Sequence, residues 1–395
     1  MGKVSGLYSL GVKMRRLSLF LFSLLASTSL AQAQEAVLSL DGDLVLAAPA
    51  SKEEEKKETE DKADVAAKKE DKGIFSFLNF WGDKKKTEVT VEPGSTETVL
   101  QKLTRTAAEG DVNSQLTLGY MYLYGEDGVS VDHKKAFDYY KMAAERKDNV
   151  AINNLGSLYY SGIGTPRNPL MAAKMFAAAA ELGNVEAMVN LAFIYLSGQG
   201  IVQNPEEAIH LFEKAAESDN PTANFMLGYA YFRGYIVEKD FRHAFDLIRK
   251  SANAGYDDAQ FILSLMYMNG WGTPQNYGNA VKALNKAMAQ GNIDAMMELG
   301  NILAIGQKYP RNIYKAHILF NVASVRGADD ADNRRNVLEK NLKIEELLQA
   351  QTEAEAYVEK PSELTVYIHQ TFGSNIKKYI DDGLAARQKR NSSKK

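Results

Sequence analysis

Apolar and polar residues recur along the middle of this chain with a period of 36 positions. A small residue marks one position of the period, at Ala136, Ala172, Ala208, Ala244, Ala280 and Ala316. A large apolar residue follows four positions later, at Tyr140, Phe176, Phe212, Ile248, Leu284 and Phe320. A third series, with one step of 37, runs through Ser114, Ala151, Ala187, Ala223, Ala259, Ala295 and Ala331. A fixed period of this length predicts a stack of repeated helical units.

Polar residues and glycines divide each unit into two helices, so each unit is predicted to be a helical hairpin. Residues that cap helix N-termini precede the first helix at Asp111, Asp148, Asn184, Asn220 and Asn292. The same residue types precede the second helix at Asp132, Asn168, Asn204, Asp240, Asn276 and Asn312. Glycines, which tolerate a left-handed backbone, close the first helices at Gly125, Gly162, Gly198, Gly234, Gly270 and Gly306.

A small residue in the middle of each first helix predicts close approach by another backbone. Gly119, Gly156 and Gly228 are examples, and a glycine there costs about 1 kcal/mol relative to alanine. Paired alanines on the second helix, such as Ala143 and Ala144, are the expected partner.

Unit two shows the complete pattern, which resembles the Sel-1-like repeat, a relative of the tetratricopeptide repeat. Its residues are Ala151, Leu155, Gly156, Tyr159, Gly162, Gly164, Asn168, Ala172, Phe176, Ala179 and Ala180. The resemblance implies an all-α fold over residues 99–330, a right-handed α/α superhelical solenoid of six hairpins. It also implies a scaffold or adaptor protein in an envelope, exopolysaccharide, motility or host-interaction system.

The C-terminal part is predicted to close the stack. Residues 331–386 are interpreted as capping helices, beginning with one long helix over 331–359 that ends before Pro361. Residues 387–395 form a basic, polar tail.

Residues 1–33 have the features of a secretory signal. Lys13, Arg15 and Arg16 precede a short apolar run that closes on a small-residue pattern, which predicts cleavage after Ala33. Met1 and Met14 are both candidates for the first residue of the translated protein. The chain has no cysteine, which excludes disulfides, thiolate metal ligands and a lipidated cysteine. We expect a periplasmic protein, with secretion beyond the outer membrane as the alternative.

Residues 34–98 separate the signal from the repeats. Residues 34–72 are interpreted as a disordered charged linker, because Lys, Glu, Asp and Ala dominate its second half. Residues 73–98 contain a short amphipathic, aromatic stretch, and its docking candidates are Phe75, Phe77, Phe80 and Trp81. Three roles stay open: a cap on the repeat stack, a docking motif for a partner, and a peripheral membrane contact through residues 73–86.

Composition and motifs argue against catalysis. A formal net charge of -3 gives no reason to expect nucleic acid as a partner. The five histidines lie in separate units without metal-ligand spacing, so no metal site and no cofactor are expected. No nucleophile and base pattern is present, so we expect no enzyme. A cell-wall hydrolase or β-lactam-binding protein is the remote alternative.

The leading functional hypothesis is recognition of a partner protein by the first helices, which by analogy line the concave face. The candidate partner-binding residues are Tyr120, Asn154, Ser157, Asn190, Phe193, Tyr229 and Glu298. Tyr120, Phe193 and Tyr229 are the predicted exposed aromatics, with packing inside the stack as the alternative role for each. Asn154 and Asn190 have an alternative role, that of tying helices together by side-chain hydrogen bonds. The second hypothesis is an assembly factor tethered to a membrane by the N-terminal amphipathic segment.

Overall fold

The computed structural model describes residues 36–38, 44–46 and 97–392 of the chain. Near the N-terminus, β1 (Ala36–Leu38) and β2 (Leu44–Leu46) form an antiparallel pair with Ala36 opposite Leu46. The sequence analysis did not predict this pair, which falls within the stretch interpreted as a charged linker. The predicted signal peptide, the rest of that linker and the docking candidates Phe75, Phe77, Phe80 and Trp81 lie outside the described residues.

Residues 97–392 form seventeen α-helices, which confirms the all-α prediction for this part of the chain. Helix α1 (Val99–Ala108) precedes six hairpins. The hairpins are α2 (Val112–Tyr124) with α3 (His133–Glu145), α4 (Asn149–Ser161) with α5 (Pro169–Glu181), α6 (Val185–Ser197) with α7 (Pro205–Glu217), α8 (Pro221–Arg233) with α9 (Phe241–Asn253), α10 (Asp257–Asn269) with α11 (Tyr277–Ala289), and α12 (Ile293–Ile305) with α13 (Ile313–Val325). Four helices follow them: α14 (Ala331–Glu339), α15 (Ile344–Glu355), α16 (Glu363–Phe372) and α17 (Lys378–Ser392).

The predicted caps start these helices. In α4, the Asp148 side chain accepts a hydrogen bond of 2.8 Å from the backbone N–H of Ala151. The cap residues of the other first helices do the same, except at α10, where Tyr256 stands in the cap position and makes no such bond. All six predicted caps of the second helices accept the equivalent bond. The repeat boundaries therefore follow from local capping chemistry.

In four of the first helices the mid-helix glycine has a large side chain as its nearest neighbour, whereas the sequence suggested the paired alanines. A Cβ added to Gly156 would come within 2.8 Å of the Phe176 ring and 3.2 Å of the Met175 Cβ. At Gly300 the nearest side chain is again the ring at the same position of the period, Phe320. In these four hairpins the mid-helix glycine of the first helix and the large periodic residue of the second helix therefore form one contact.

The region after the last hairpin differs from the predicted single helix over 331–359. Helix α14 ends at Glu339, where the N–H groups of Asn341 and Leu342 turn back to carbonyls three residues earlier. A new helix then starts because the Glu346 carboxylate accepts a hydrogen bond from the Lys343 N–H at 2.9 Å. Helix α17 also continues to Ser392, into the stretch assigned to the basic tail.

The core follows the stack, and the last two helices join it. One apolar cluster runs from Ile152 in α4 to Met266 in α10. It also contains five side chains from α16, α17 and the turn between them: Leu364, Tyr367, Ile368, Ile376 and Ile380. The C-terminal helices are therefore packed on the solenoid about a hundred residues earlier in sequence.

Candidate protein-binding surface

The first helices of the hairpins form one surface of the solenoid, and part of it is already occupied. We call the surface made by α2, α4, α6, α8, α10 and α12 the first-helix surface. Helix α17 contacts both α6 and α8. Helix α16 contacts the N-terminus of α10. We call residues 363–392 the docked segment.

Aromatic side chains hold the docked segment against α6. The Phe193 ring stacks on Phe372 with centroids 4.0 Å apart, and Tyr379 meets the same ring edge-on at 5.4 Å. Phe193 is consequently buried, with 6% of its surface exposed. The prediction that Phe193 is exposed was wrong, because the chain supplies its own partner for this ring.

Tyr229 on α8 is also covered. Its hydroxyl donates a hydrogen bond to Asp381 of α17 at 3.2 Å, and Arg233 pairs with the same carboxylate. Only 4% of the Tyr229 surface is exposed, so the prediction of an exposed aromatic was wrong here too. Burial raises the pKa of the Tyr229 phenol, so the hydroxyl keeps its proton as a donor.

Two adjacent carboxylates at the start of α10 meet basic groups from the docked segment. Lys377 Nζ lies 2.9 Å from Asp258 Oδ1, and His369 Nε2 lies 3.4 Å from Asp257 Oδ1. Asn292 donates hydrogen bonds to both carboxylates. Asp257 and Asp258 are each 3% exposed, so this is a buried cluster of charge.

The environment shifts the pKa values in this cluster. Burial raises the pKa of Asp258, and Lys377 opposes that shift. Burial alone would lower the pKa of Lys377, but the attraction and hydrogen bond to Asp258, together with the nearby Asp294 carboxylate, raise it overall. The contact with Asp257 likewise raises the pKa of His369 against the effect of burial. Both basic groups are therefore favoured in their charged forms while the segment is docked.

The docked segment and the residue before it also bond to backbone groups at the start of α10. The backbone N–H of Asp257 donates to Thr365 Oγ1 at 3.1 Å, and the Ser362 hydroxyl donates to the Gly255 carbonyl at 2.7 Å. A side chain from 108 residues later in sequence thus satisfies the N–H of the first residue of α10, whereas the Asn and Asp caps of the other first helices accept from the third residue.

The first-helix surface stays open at its N-terminal end. Tyr120 on α2 and Asn154 and Ser157 on α4 are partly exposed. The Tyr120 hydroxyl donates to Glu126 at 3.0 Å, and its ring lies 5.0 Å from that of Tyr124. We call Tyr120, Asn154 and Ser157 the open patch. Glu298 on α12 is also partly exposed, on the other side of the docked segment along the stack.

Asn190 has the tying role that the sequence analysis considered. Its side-chain amide donates to Asn153 Oδ1 at 3.0 Å and links α6 to α4, and both residues are buried. The seven predicted residues therefore divide into three that form the open patch, three that are buried and one beyond the docked segment.

Sequence reasoning missed Asp257, Asp258, His369 and Lys377, although one signal was present. The series of Asn and Asp caps is interrupted only at Tyr256, immediately before the two aspartates. That interruption marks the unit on which the C-terminus docks.

Within residues 97–392, no group of three or more metal-ligating side chains could hold an ion. None of the described helices is both long and apolar enough to cross a membrane.

Comparison with known proteins gives a family for most of this region. The Sel1 repeat model matches six consecutive segments, residues 112–148, 149–184, 185–220, 221–256, 257–292 and 293–324. A Sel1 repeat protein from Oxalobacter formigenes is similar at 29% identity and a TM-score of 0.51, over 58% of this chain and 93% of that one. The search of curated proteins gives no match.

A protective antigen of uropathogenic Escherichia coli with an SLR fold is similar at 25% identity and a TM-score of 0.49. The match covers 69% of this chain and 66% of the antigen, slightly less than two thirds of its length.

Proposed function

The chain belongs to the Sel1 repeat family, whose members are generally non-catalytic scaffolds for protein–protein interaction, and we propose that it is an exported scaffold that binds a partner protein at the open patch. The observation that carries this proposal is the division of the first-helix surface. The docked segment fills it at α6, α8 and α10, whereas α2 and α4 keep partly exposed side chains.

The chemistry of the open patch suits protein recognition. Tyr120 offers a ring with a polar tip, and aromatic residues of this kind are enriched at the centres of protein interfaces. Asn154 and Ser157 add an amide and a hydroxyl on the next first helix, and Ser157 occupies the same position of the period as Tyr120. A mixed aromatic and polar surface favours a protein ligand over a small apolar molecule, which would need an enclosed cavity.

Export is supported by the sequence of residues 1–33 alone. A short apolar run after basic residues and before a small-residue cleavage pattern is typical of a secretory signal. The protein recovered from the periplasm is expected to begin at Gln34 when its N-terminus is sequenced. An N-terminus upstream of Leu17, with the protein in the cytoplasmic fraction, would contradict export.

Affinity capture tests the binding proposal. The tagged full chain is crosslinked in its native cell, and the partner is identified by mass spectrometry. The double variant Tyr120→Ala with Ser157→Arg should lose that partner, because it removes the aromatic ring and fills the adjacent position with a long charged side chain.

The matched control is Lys174→Ala with Lys214→Ala, two exposed residues on the second helices α5 and α7. Both variants must retain the helical circular dichroism and the Tm of the parent. Capture of the same partner by the open-patch variant at parental levels would rule out this site.

A further inference from the structure

The helices that receive the docked segment carry an acidic pair that the other units lack. Asp257 and Asp258 are the first two residues of α10, and the corresponding pairs in the other hairpins contain at most one acidic residue. Among the described residues, the basic groups paired with these carboxylates are His369 and Lys377, both from the docked segment. A buried carboxylate that loses its cation is strongly unfavourable, so the acidic pair requires a cation from whatever covers it.

The docked segment presents a recognisable apolar pattern beside that cation. Leu364, Tyr367 and Ile368 are spaced as one face of a helix, and each has 4% or less of its surface exposed. Phe372 follows at the end of the same helix and stacks on Phe193. Lys377 comes five residues later and also lies over the Phe261 ring at 5.6 Å. This is the pattern of an amphipathic helix lying in a groove, with a basic residue after its last aromatic anchor.

Unit five lacks the side-chain cap that the first helices of the other units have. Its cap position holds Tyr256, which is fully buried and cannot cap α10 through its side chain. The hydroxyl of Thr365 instead accepts a hydrogen bond from the N–H of Asp257, the first residue of α10. This hydrogen bond, the apolar contacts and the compensating charge are thus all supplied by one ligand helix and the turn that follows it.

We propose that the surface of α6, α8 and α10 around Phe193, Tyr229 and the acidic pair is a helix-docking site for partner proteins. Its ligand is an amphipathic helix with apolar residues at i, i+3 and i+4, an aromatic residue at its end and a lysine shortly after. The docked segment is the resident ligand, and a partner helix of this chemistry competes with it. The inference deepens the proposed scaffold function but concerns a surface separate from the open patch.

The docked segment competes with an outside helix and so lowers the apparent affinity of that helix for the site. The docked segment is joined to the solenoid through the short connection 356–362, so its effective concentration at the site is high. An outside helix therefore binds only in the fraction of molecules whose segment is undocked. Weakening the resident contact while leaving the site intact should raise the apparent affinity.

The test uses the full chain and a fluorescent synthetic peptide with the sequence of residues 363–392. Lys377→Ala removes the cation from the resident segment, whereas the added peptide still carries it. We expect the variant to bind the peptide at least about ten-fold more tightly than the parent chain. The matched control Lys360→Ala changes an exposed lysine on the connection and should bind like the parent.

A second variant locates the peptide. Adding Asp258→Asn to Lys377→Ala removes the acidic partner from the site, so the gain in affinity should disappear. Equal peptide affinity for the parent and Lys377→Ala would overturn the proposal, and so would a gain that survives Asp258→Asn.

Hydrogen exchange on the parent chain keeps the proposal falsifiable should Lys377→Ala fail to fold. Excess peptide should accelerate amide exchange in residues 363–386 while leaving α4, α5 and α7 unchanged. Unchanged exchange in the docked segment at saturating peptide would mean that it is a fixed part of the fold. None of these measurements involves the native partner, so their failure would leave binding at the open patch untouched.

Discussion

Single residues explain where this repeat protein is regular and where it is not. Asn or Asp caps every first helix except α10, where Tyr256 interrupts the series. The regular caps could be predicted from sequence because capping is local. The hydrogen bond between the start of α10 and Thr365 could not, since it depends on a residue more than a hundred positions away.

The buried bond between Asn190 and Asn153 gives a prediction at this scale. Asn190→Ala should lower the free energy of unfolding by about 1 to 3 kcal/mol, because it leaves the buried Asn153 oxygen without its donor. Urea unfolding monitored by circular dichroism measures the change. Asn154→Ala is the matched control, since Asn154 occupies the same position one unit earlier but is partly exposed, and it should cost less. Equal losses in the two variants would refute the tying role.

The contact of His369 with Asp257 makes docking depend on pH. The pKa of His369 is raised in the docked state above its ordinary value of 6.5, so protonation favours docking. The stabilisation is complete below the ordinary pKa and is lost as the pH rises through the raised one. Exchange protection of α16, corrected for the intrinsic rate, should therefore fall as the pH rises above 6.5.

The charged groups that face His369 are Asp257, Asp258 and Lys377. His369→Gln tests whether His369 causes the pH dependence, because it removes the only imidazole of the cluster. The variant should lose the pH dependence of protection in α16. A dependence that survives in the variant would assign the effect to Asp258, whose pKa is also raised.

At the scale of elements, the hairpin depends on a small residue facing a large one. Gly156→Ala would improve helix propensity by about 1 kcal/mol, yet the new methyl group would overlap the Phe176 ring and press on Met175. We expect a net loss of about 1 to 3 kcal/mol, typical of overpacking. Gly278→Ala in α11 is the control, because a Cβ there meets only the Asn276 side chain at 3.4 Å.

Thermal and urea unfolding of both glycine variants measure the difference. The control should be neutral or slightly stabilising, whereas Gly156→Ala should lower both Tm and the urea midpoint. Stabilisation of Gly156→Ala would show that the hairpin can open enough to accept a methyl group, contrary to the described packing.

The hairpins could be predicted from the sequence, whereas the arrangement of the four helices after them could not. Period, caps and closing glycines predicted all six hairpins, because each signal acts within one unit. The break between α14 and α15 was missed, since the residues around Lys343 keep good helix propensity and only the Glu346 hydrogen bond marks a new start. The docking of α16 and α17 was missed because an amphipathic helix does not reveal which surface it covers.

At the scale of the whole molecule, the C-terminal helices cover part of the solenoid surface that the sequence suggested would bind a partner. Phe193 and Tyr229 occupy the positions expected of ligand-binding aromatics, and they do bind a helix, but that helix belongs to the same chain. The first-helix surface is therefore divided between an occupied site and the open patch. A family resemblance alone could not show this division, because the docked segment lies outside the matched repeats.

The central claim is that a partner protein contacts the open patch of an otherwise occupied first-helix surface. Photo-crosslinking in the native cell tests it most directly, with a photoreactive amino acid placed at Ser157 or, as the control, at Lys174 on the second helix α5. We predict that the Ser157 derivative forms one discrete adduct and that the Lys174 derivative forms none with the same protein. An adduct with that protein from Lys174 and none from Ser157 would contradict the account.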